Sequence, residues 1–470
     1  MKRIAIVGGG VAGVTAAYEL AQLARNGAAV QVVLFEASTR LGGIVETVRE
    51  GGFVMECGPD AWVTEKPWAR ELAGELGLGD EVMASNDAAR KTYVLIENRL
   101  VAMPDGMRMM VPGDLNALDA SELFSAAAKH AYRDEVERAA ELKAGAPEED
   151  ESVAEFVRRH FGEEVLEKIG APLLSGVFGG DVAKLSVRAV MAPFVAMERE
   201  HGSLIVALQA RNAAKAGAVF TTLRSGMGTL VDRMIAAIPA EWIRLGDTVR
   251  FVSYGDEGWL VGTAKEVEQF DVVMMAAPVD VAGPLLEPVD ARVTELIEME
   301  ASSAVVVGFG FPDATKFSLP PGFGFLVPPG SGSLLLACTF VDQKFEDRVP
   351  QGGRMVRAFF GGAAAERMMR CGNDETASVA RLELARILGP LPEPQVTMVR
   401  RWPRSLPQYG VGHLERMAEL DERVKKLDGL WLLGNGYRGV GIPDLVRDAR
   451  TAARRVVLPD GPTSRGAVTS

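Results

Sequence analysis

The feature that most constrains this chain lies in residues 1–43. Arg3 to Val7 (R-I-A-I-V) is a short apolar run of strand type, followed at once by Gly8-Gly9-Gly10-Val11-Ala12-Gly13, a G-x-G-x-x-G. Val14, Ala17, Tyr18, Leu20, Ala21 and Ala24 then recur on one face of a helix. A second apolar run, Val30 to Phe35, delivers Glu36. Strand, glycine turn, helix, strand and acid in that order make a βαβ nucleotide cradle. Gly8 permits the tight turn, Gly10 lets a pyrophosphate approach the backbone, and Gly13 lets the helix close on the strand. The phosphates belong at the helix N-terminus, where free N–H groups and the dipole favour anions. Glu36 is placed to accept hydrogen bonds from a ribose, and an acid there disfavours a 2′-phosphate.

In a chain with 51 glycines the fingerprint alone would be weak. Its setting between strand and helix strengthens it, and the next residues sharpen it. Glu36-Ala37-Ser38-Thr39-Arg40-Leu41-Gly42-Gly43 reads E-x-x-x-R-x-G-G. A second Gly-Gly turn behind the ribose acid suits a longer dinucleotide than NAD. Arg40 offers charge-assisted bonds to the pyrophosphate. This two-part pattern resembles that of the FAD-containing amine oxidase superfamily, which implies FAD as cofactor.

The 470 residues suffice for two or three domains with sizeable cores. A net charge of −12 argues against nucleic acid as a partner. Cys57, Cys338 and Cys371 are far apart, so neither a disulfide framework nor a metal site is expected, and a reducing compartment is. The four histidines, His130, His160, His201 and His413, are equally dispersed. Phe317 to Val341 is the longest uncharged stretch, but its prolines and glycines exclude a spanning helix.

Along the chain, Gly58-Pro59 is a turn able to bring backbone toward a ligand, and Glu65 to Leu78 has helical spacing. Thr92 to Ile96 and Arg99 to Val101 read as a strand pair around Glu97-Asn98. Helical composition then runs to about Leu204. Within it, Gly106 to Pro112 collects three methionines and a valine around Arg108, either a core patch or a lip facing membrane or substrate. Ser152-Val153-Ala154-Glu155 is a capping box, and the glycines of Ser175 to Asp181 break the helical region. Strands are expected at Val249 to Ser253, Trp259 to Gly262 and Phe270 to Ala277. A separate antiparallel sheet is expected from Glu300 to Phe311, Gly322 to Val327, Ser333 to Phe340 and Arg354 to Phe360. Leu430 to Leu433, a turn at Gly434 to Pro443 and a helix from Asp444 to Val457 return to the cradle, and Pro459 to Ser470 reads as a polar, frayed tail.

Several separated motifs in order resemble one family, the oxygen-dependent porphyrinogen oxidases. Besides the N-terminal pair they are Glu56-Cys57-Gly58-Pro59-Asp60, Leu174 to Asp181, Gly322 to Pro328, Arg401-Trp402-Pro403 through Tyr409 with Gly412-His413, and Gly439 to Asp444. The resemblance covers nearly the whole chain. It implies an α/β fold with an α+β insert: a Rossmann-like FAD-binding domain of amine oxidase type (1–88, 205–288, 425–458), a mixed-sheet substrate domain (89–104, 289–424), a helical insert (105–204) and a tail (459–470). It implies FAD contacts from Gly8, Gly9, Gly10, Val11, Ala12, Gly13, Glu36, Ala37, Arg40, Gly42, Gly43, Gly58, Pro59, Asp60, Ala61, Val249, Trp402, Val440, Gly441 and Ile442. For the substrate it points to Arg90, Lys91, Gly179, Leu326 and Phe345; each of the last two could instead be plain core. One departure stands out: the protoporphyrinogen-specific members carry an Arg where this chain has Thr92, which favours coproporphyrinogen III.

The chemistry so implied is removal of hydride from the sp³ bridges of a porphyrinogen in three two-electron oxidations, as part of haem biosynthesis. Oxygen accepts the electrons and yields hydrogen peroxide. No general base is nameable from the residues, and no metal is expected. The expected setting is cytoplasmic, with peripheral contact to the inner face of the cell membrane and a ferrochelatase-type next enzyme as candidate partners. An amine oxidase or carotenoid-type desaturase would share the first and last motifs but not the middle ones. A non-catalytic flavin-binding protein would keep the cradle and lose the pocket.

Overall fold

The computed structural model describes residues 1–211 and 217–457; the tail expected at 459–470 lies outside the described residues. Two sheets organise it. The first is all parallel, with strands in the order Ile243–Leu245, Val30–Glu36, Lys2–Val7, Val272–Met275 and Leu430–Leu432. Both its faces are covered, which explains the unbroken apolar runs of its strands. Ile4, Ile6, Val32, Leu34, Val272 and Met274 face the helices Val11–Arg25, Gly228–Ala236 and Ile442–Val457. Ala5, Val7, Val33, Phe35, Val273 and Met275 face a three-stranded meander, Phe251–Gly255, Gly258–Gly262 and Val267–Phe270, through Val252, Trp259 and Val261.

Two expected strands differ. Val249 lies outside the meander, whose first strand begins at Phe251. Phe270 to Ala277 is not one strand but the end of one and the whole of the next: the chain leaves the meander at Phe270, turns at Asp271 and runs through the parallel sheet from Val272 to Met275. The edge strand Ile243–Leu245, only three residues long, carried no periodicity to detect.

The second sheet is mixed and has seven strands: Val396–Pro407, Ala301–Phe311, Arg354–Phe360, Ala337–Phe340, Gly324–Leu326, Thr92–Ile96 and Arg99–Ala102. Every pairing is antiparallel except Gly324–Leu326 with Thr92–Ile96. One face, through Tyr93, Leu95, Phe325, Phe340, Val356, Phe360 and Phe309, packs on the helices Gly362–Met368 and Asn373–Leu388. The hairpin Thr47–Glu50 with Phe53–Glu56 reaches the opposite face, where Phe53, Met55 and Cys57 meet Val306, Met355 and Met398.

Helices between Leu115 and Arg211 form a third cluster against Val94 and Val101. Ser152 and Glu155 make the expected capping box. The Ser175 to Asp181 break is later than expected, since the helix Ala171–Phe178 runs on until Gly179 takes a left-handed φ of 70°. Met110 and Val111 are fully buried in this cluster while Met107 and Met109 are partly so and Arg108 is exposed, bonded to Glu65 at 2.7 Å. His160 is buried between Glu135 and Glu198, both at 3.1 Å. Among the described residues no helix is long and apolar enough to cross a membrane, and no His, Cys, Asp or Glu group could hold a metal.

Candidate active site

The cradle is built at the C-terminal edge of the parallel sheet. Gly8 has φ +108° and lies against Ala276 O, where a Cβ would be 2.7 Å away. Gly13 backs on Gly8 O with no room for a Cβ, so the helix sits down on the strand. Gly10 is different: nothing lies within 4 Å of where its Cβ would be. It caps the Val11–Arg25 helix without any side-chain cap, which leaves an open space in front of first-turn amides. The Gly42–Gly43 turn closes one side, with Gly42 N donating to Gly9 O at 2.8 Å. A Cβ on Gly43 would lie 3.2 Å from Gly10 Cα. An open, glycine-walled hollow at a helix N-terminus fits a pyrophosphate.

Glu36 ends the second strand as expected. Its Oε2 accepts from Gly9 N and its Oε1 from Ser38 N, each at 2.7 Å. The carboxylate therefore also holds the glycine turn in shape, a role its motif position did not disclose. Val249 is buried against the same sheet edge, two residues after Asp247, whose amide donates to Glu36 O at 3.0 Å. Arg40 turns back on its own loop: it donates to Leu41 O at 3.1 Å and to Gly43 O, and stands 5.8 Å from the centre of the Trp402 ring.

The other expected cofactor residues come from three distant segments, around Gly58, Trp402 and Gly441. Trp402 Nε1 donates to Cys57 O at 2.7 Å. Gly58 has no room for a Cβ against Ile44 O, one residue beyond the Gly42–Gly43 turn. The carbonyls of Cys57, Gly58 and Asp60 accept from Trp402, Arg357 and Thr222. At the C-terminal side, Gly439 N donates to Tyr409 Oη at 3.0 Å, and Tyr409 Oη to Asn435 O at 2.7 Å. His413 stacks flat on Tyr409, ring centres 3.9 Å apart. Burial holds His413 down at about 4, so it is neutral, with Nε2–H donating to Tyr437 O at 2.9 Å. This clamp fixes the Val440–Gly441–Ile442 turn at the start of the last helix.

Behind Gly58 lies a buried charge cluster that sequence reasoning missed. Lys344 Nζ meets both oxygens of Asp60 at 2.9 and 3.0 Å, and Arg357 stands 3.3 Å from the same carboxylate. Although burial acts against it, Lys344 and Arg357 hold the Asp60 carboxyl below its ordinary range. Arg348 bonds Glu56 at 2.9 Å and Leu223 O at 2.7 Å. Burial pushes the Glu56 carboxyl up, against the charge of Arg348. These residues lie far apart in sequence, and only the fold brings them together.

The substrate candidates separate. Register sets Leu326 opposite Ala337 and Ala337 opposite Phe359, so the three cross the sheet in one row on the face away from Phe325 and Phe360. All three are half-buried, whereas Phe325 and Phe360 are fully buried. Trp402 is half-buried on the same face, partly packed with Phe359 against the hairpin cluster. Phe359 was not singled out from sequence, although strand alternation in Arg354–Phe360 separates it from Phe360. Phe345 is not in the row. It is 1% exposed, with Lys344 Nζ 5.0 Å from its ring centre and Arg348 stacked at 5.8 Å. Gly179 approaches Leu406 and Ser302 at the end of the sheet. Arg90 and Lys91 stand at the start of the Thr92 strand, near Asp87 and Asp105, each pair at 3.8 Å.

Comparison with known proteins places the chain among flavin oxidoreductases. The family described as flavin containing amine oxidoreductase matches residues 11–457. Coproporphyrinogen III oxidase of Bacillus subtilis (strain 168) is 31% identical over 463 residues, covering 96% of this chain and 97% of its own. Coproporphyrinogen III oxidase of Staphylococcus aureus (strain NCTC 8325 / PS 47) is 27% identical over 478 residues, covering 97% and 99%. A solved structure from Exiguobacterium sp. 255-15, provisionally assigned as a protoporphyrinogen oxidase, superposes with a TM-score of 0.84 at 31% identity, covering 97% and 98%.

Proposed function

The chain belongs to the flavin containing amine oxidoreductase family, and on that premise we propose that it is an FAD-dependent porphyrinogen oxidase that prefers coproporphyrinogen III. The observation that carries this is the half-buried row Leu326, Ala337 and Phe359 on the sheet face that also bears Trp402. Such a row offers a flat, apolar wall of the kind a macrocycle needs beside a flavin. FAD, rather than a mononucleotide, is supported by the hollow at Gly10 combined with Glu36 and Val249 beyond it. The division into flavin-binding, substrate and helical parts at the boundaries given above belongs to the same proposal.

FAD, when bound, would supply the two-electron oxidation, with oxygen as the acceptor. The chain's own residues orient and enclose. Gly10 and the first helix turn would hold the phosphates and Glu36 the ribose, while Trp402 locks the Cys57 carbonyl so that the Gly58 turn stays in place. Leu326 and Phe359 would exclude water from one side of a bound macrocycle. The neutral His413 and Tyr409 hold the last helix turn without adding charge.

Thr92 supports the substrate preference. It is half-buried and pairs with Gly324 in the strand that carries Leu326. A hydroxyl there leaves propionates to Lys91, Arg90 or solvent, which suits a substrate with carboxylates on all four rings. The test is turnover of coproporphyrinogen III and protoporphyrinogen IX side by side, read by porphyrin fluorescence and oxygen consumption. Faster oxidation of coproporphyrinogen III is expected. Oxidation of neither, with bleaching of the flavin by an amine or a carotenoid precursor, would overturn the proposal. Peripheral contact with the inner face of the membrane and hand-over to a ferrochelatase-type enzyme complete it; vesicle flotation and cross-linking test them.

A further inference from the structure

The cluster behind Gly58 is unbalanced. Lys344, Arg348 and Arg357 face only two carboxylates, Glu56 and Asp60. Arg348 and Arg357 are about as buried as any residue in the protein, at 1% and 2% exposed, and Lys344 follows at 9%. Other charges around it are paired among themselves: Arg354 with Asp342 at 3.5 Å, Arg400 with Glu46 at 2.7 Å, and Arg224 with Asp347 at the surface. The Nε atoms of Arg348 and Arg357 have no acceptor among the described residues. An excess positive charge inside protein is screened little, and its field extends to whatever occupies the adjoining space. Arg357 points that field, since it donates to Gly58 O and also faces Asp60.

We propose that this cluster, through Lys344 and Arg357, makes the bound flavin a stronger oxidant by holding one uncompensated positive charge against the Gly58–Ala61 turn. The inference rests on the assignment of that turn to the flavin. A reduced flavin carries more negative charge than an oxidised one, so a fixed cation stabilises the reduced form. Lys344, Arg357 and Asp60 are thus positioning residues that act through charge and need not touch the substrate.

The sign of the charge provides the test. Flavin potentials of the FAD-loaded protein are measured by equilibration with a reference dye, without substrate. Lys344→Gln should lower the ratio of reduced to oxidised flavin at a fixed dye potential severalfold, since a buried unit charge acts over several ångströms. Asp60→Asn should raise it by a similar factor. Unchanged potentials, or shifts of the same sign in both variants, would overturn the inference. Should Lys344→Gln lose its flavin, Arg357→Gln is read the same way; loss from both would mean that the cluster only props the turn, and would overturn it too. Absence of FAD from the unmodified protein would instead sink the flavin reading itself.

Discussion

Trp402 Nε1 donates to the carbonyl oxygen of Cys57 at 2.7 Å, and the Arg40 guanidinium lies 5.8 Å from the centre of the same indole. One side chain of the mixed sheet therefore braces both loops that flank the nucleotide hollow. Trp402→Phe keeps an aromatic ring and removes the donor. It should weaken flavin binding by about 1 kcal/mol, the net worth of one neutral hydrogen bond, while folding is unchanged. Flavin release on titration with guanidinium, compared with loss of helix signal, measures this.

The cradle itself makes a stronger demand. Gly10→Val puts a side chain into the space in front of the first helix turn, where nothing lies within 4 Å. The expected product is folded apo-protein, with no flavin absorbance. Glu36→Ala should cost about 1.5–3 kcal/mol of flavin affinity, since charged acceptors make the stronger bonds. Full occupancy in Gly10→Val would contradict the assignment of the hollow.

Two phenylalanines should behave oppositely. Phe359→Ala removes part of the half-buried row and should raise KM or lower kcat while the bound-flavin spectrum stays as it was. Phe345→Ala removes a fully buried ring between two cations and should destabilise the fold by about 3–5 kcal/mol. Normal kinetics in Phe359→Ala would remove that residue from the pocket.

The contrast shows what a chain discloses about itself. The Gly8–Gly13 turn, Glu36 and the capping box at Ser152 are local, and short-range sterics and hydrogen bonds tie residue type to position. The seven-stranded sheet is not local. Thr92–Ile96 joins it more than two hundred residues before its neighbour Gly324–Leu326. Which phenylalanine faces the site depends on register across three strands, and a slip of one residue would have exchanged Phe359 for Phe360. The Lys344–Asp60–Arg357 cluster is further removed still, because no period or motif links its members.

Substrate preference should respond to one position. Thr92→Arg adds a cation beside the row and should shift kcat/KM from coproporphyrinogen III toward protoporphyrinogen IX. Paired assays of the variant and the unmodified protein decide it; an unmoved ratio would mean that Thr92 does not meet a propionate.

His413 gives the protein an acid-sensitive seam. Its pKa is about 4 in the fold against an ordinary 6.5, so the folded state resists its protonation and the unfolded state does not. The stability this contributes, about 3 kcal/mol, is full above pH 6.5 and is lost progressively as pH falls toward 4. Urea midpoints measured across that window should drop for the unmodified protein and drop less for His413→Gln.

The parallel sheet takes its strands from both ends of the chain, with Lys2–Val7 at its centre and Leu430–Leu432 at one edge. Its first helix is buried on nearly every side from Val11 to Ala21, partly beneath the helix Ile442–Val457. During synthesis, therefore, the helix Val11–Arg25 leaves the ribosome more than four hundred residues before the helix Ile442–Val457 that covers it. Over that interval its apolar surface stands uncovered, and a chain stopped before about residue 440 would keep its fingerprint yet leave that surface bare. Such a product is one for chaperones and proteases, and the cofactor can stabilise only a chain that has reached the helix Ile442–Val457.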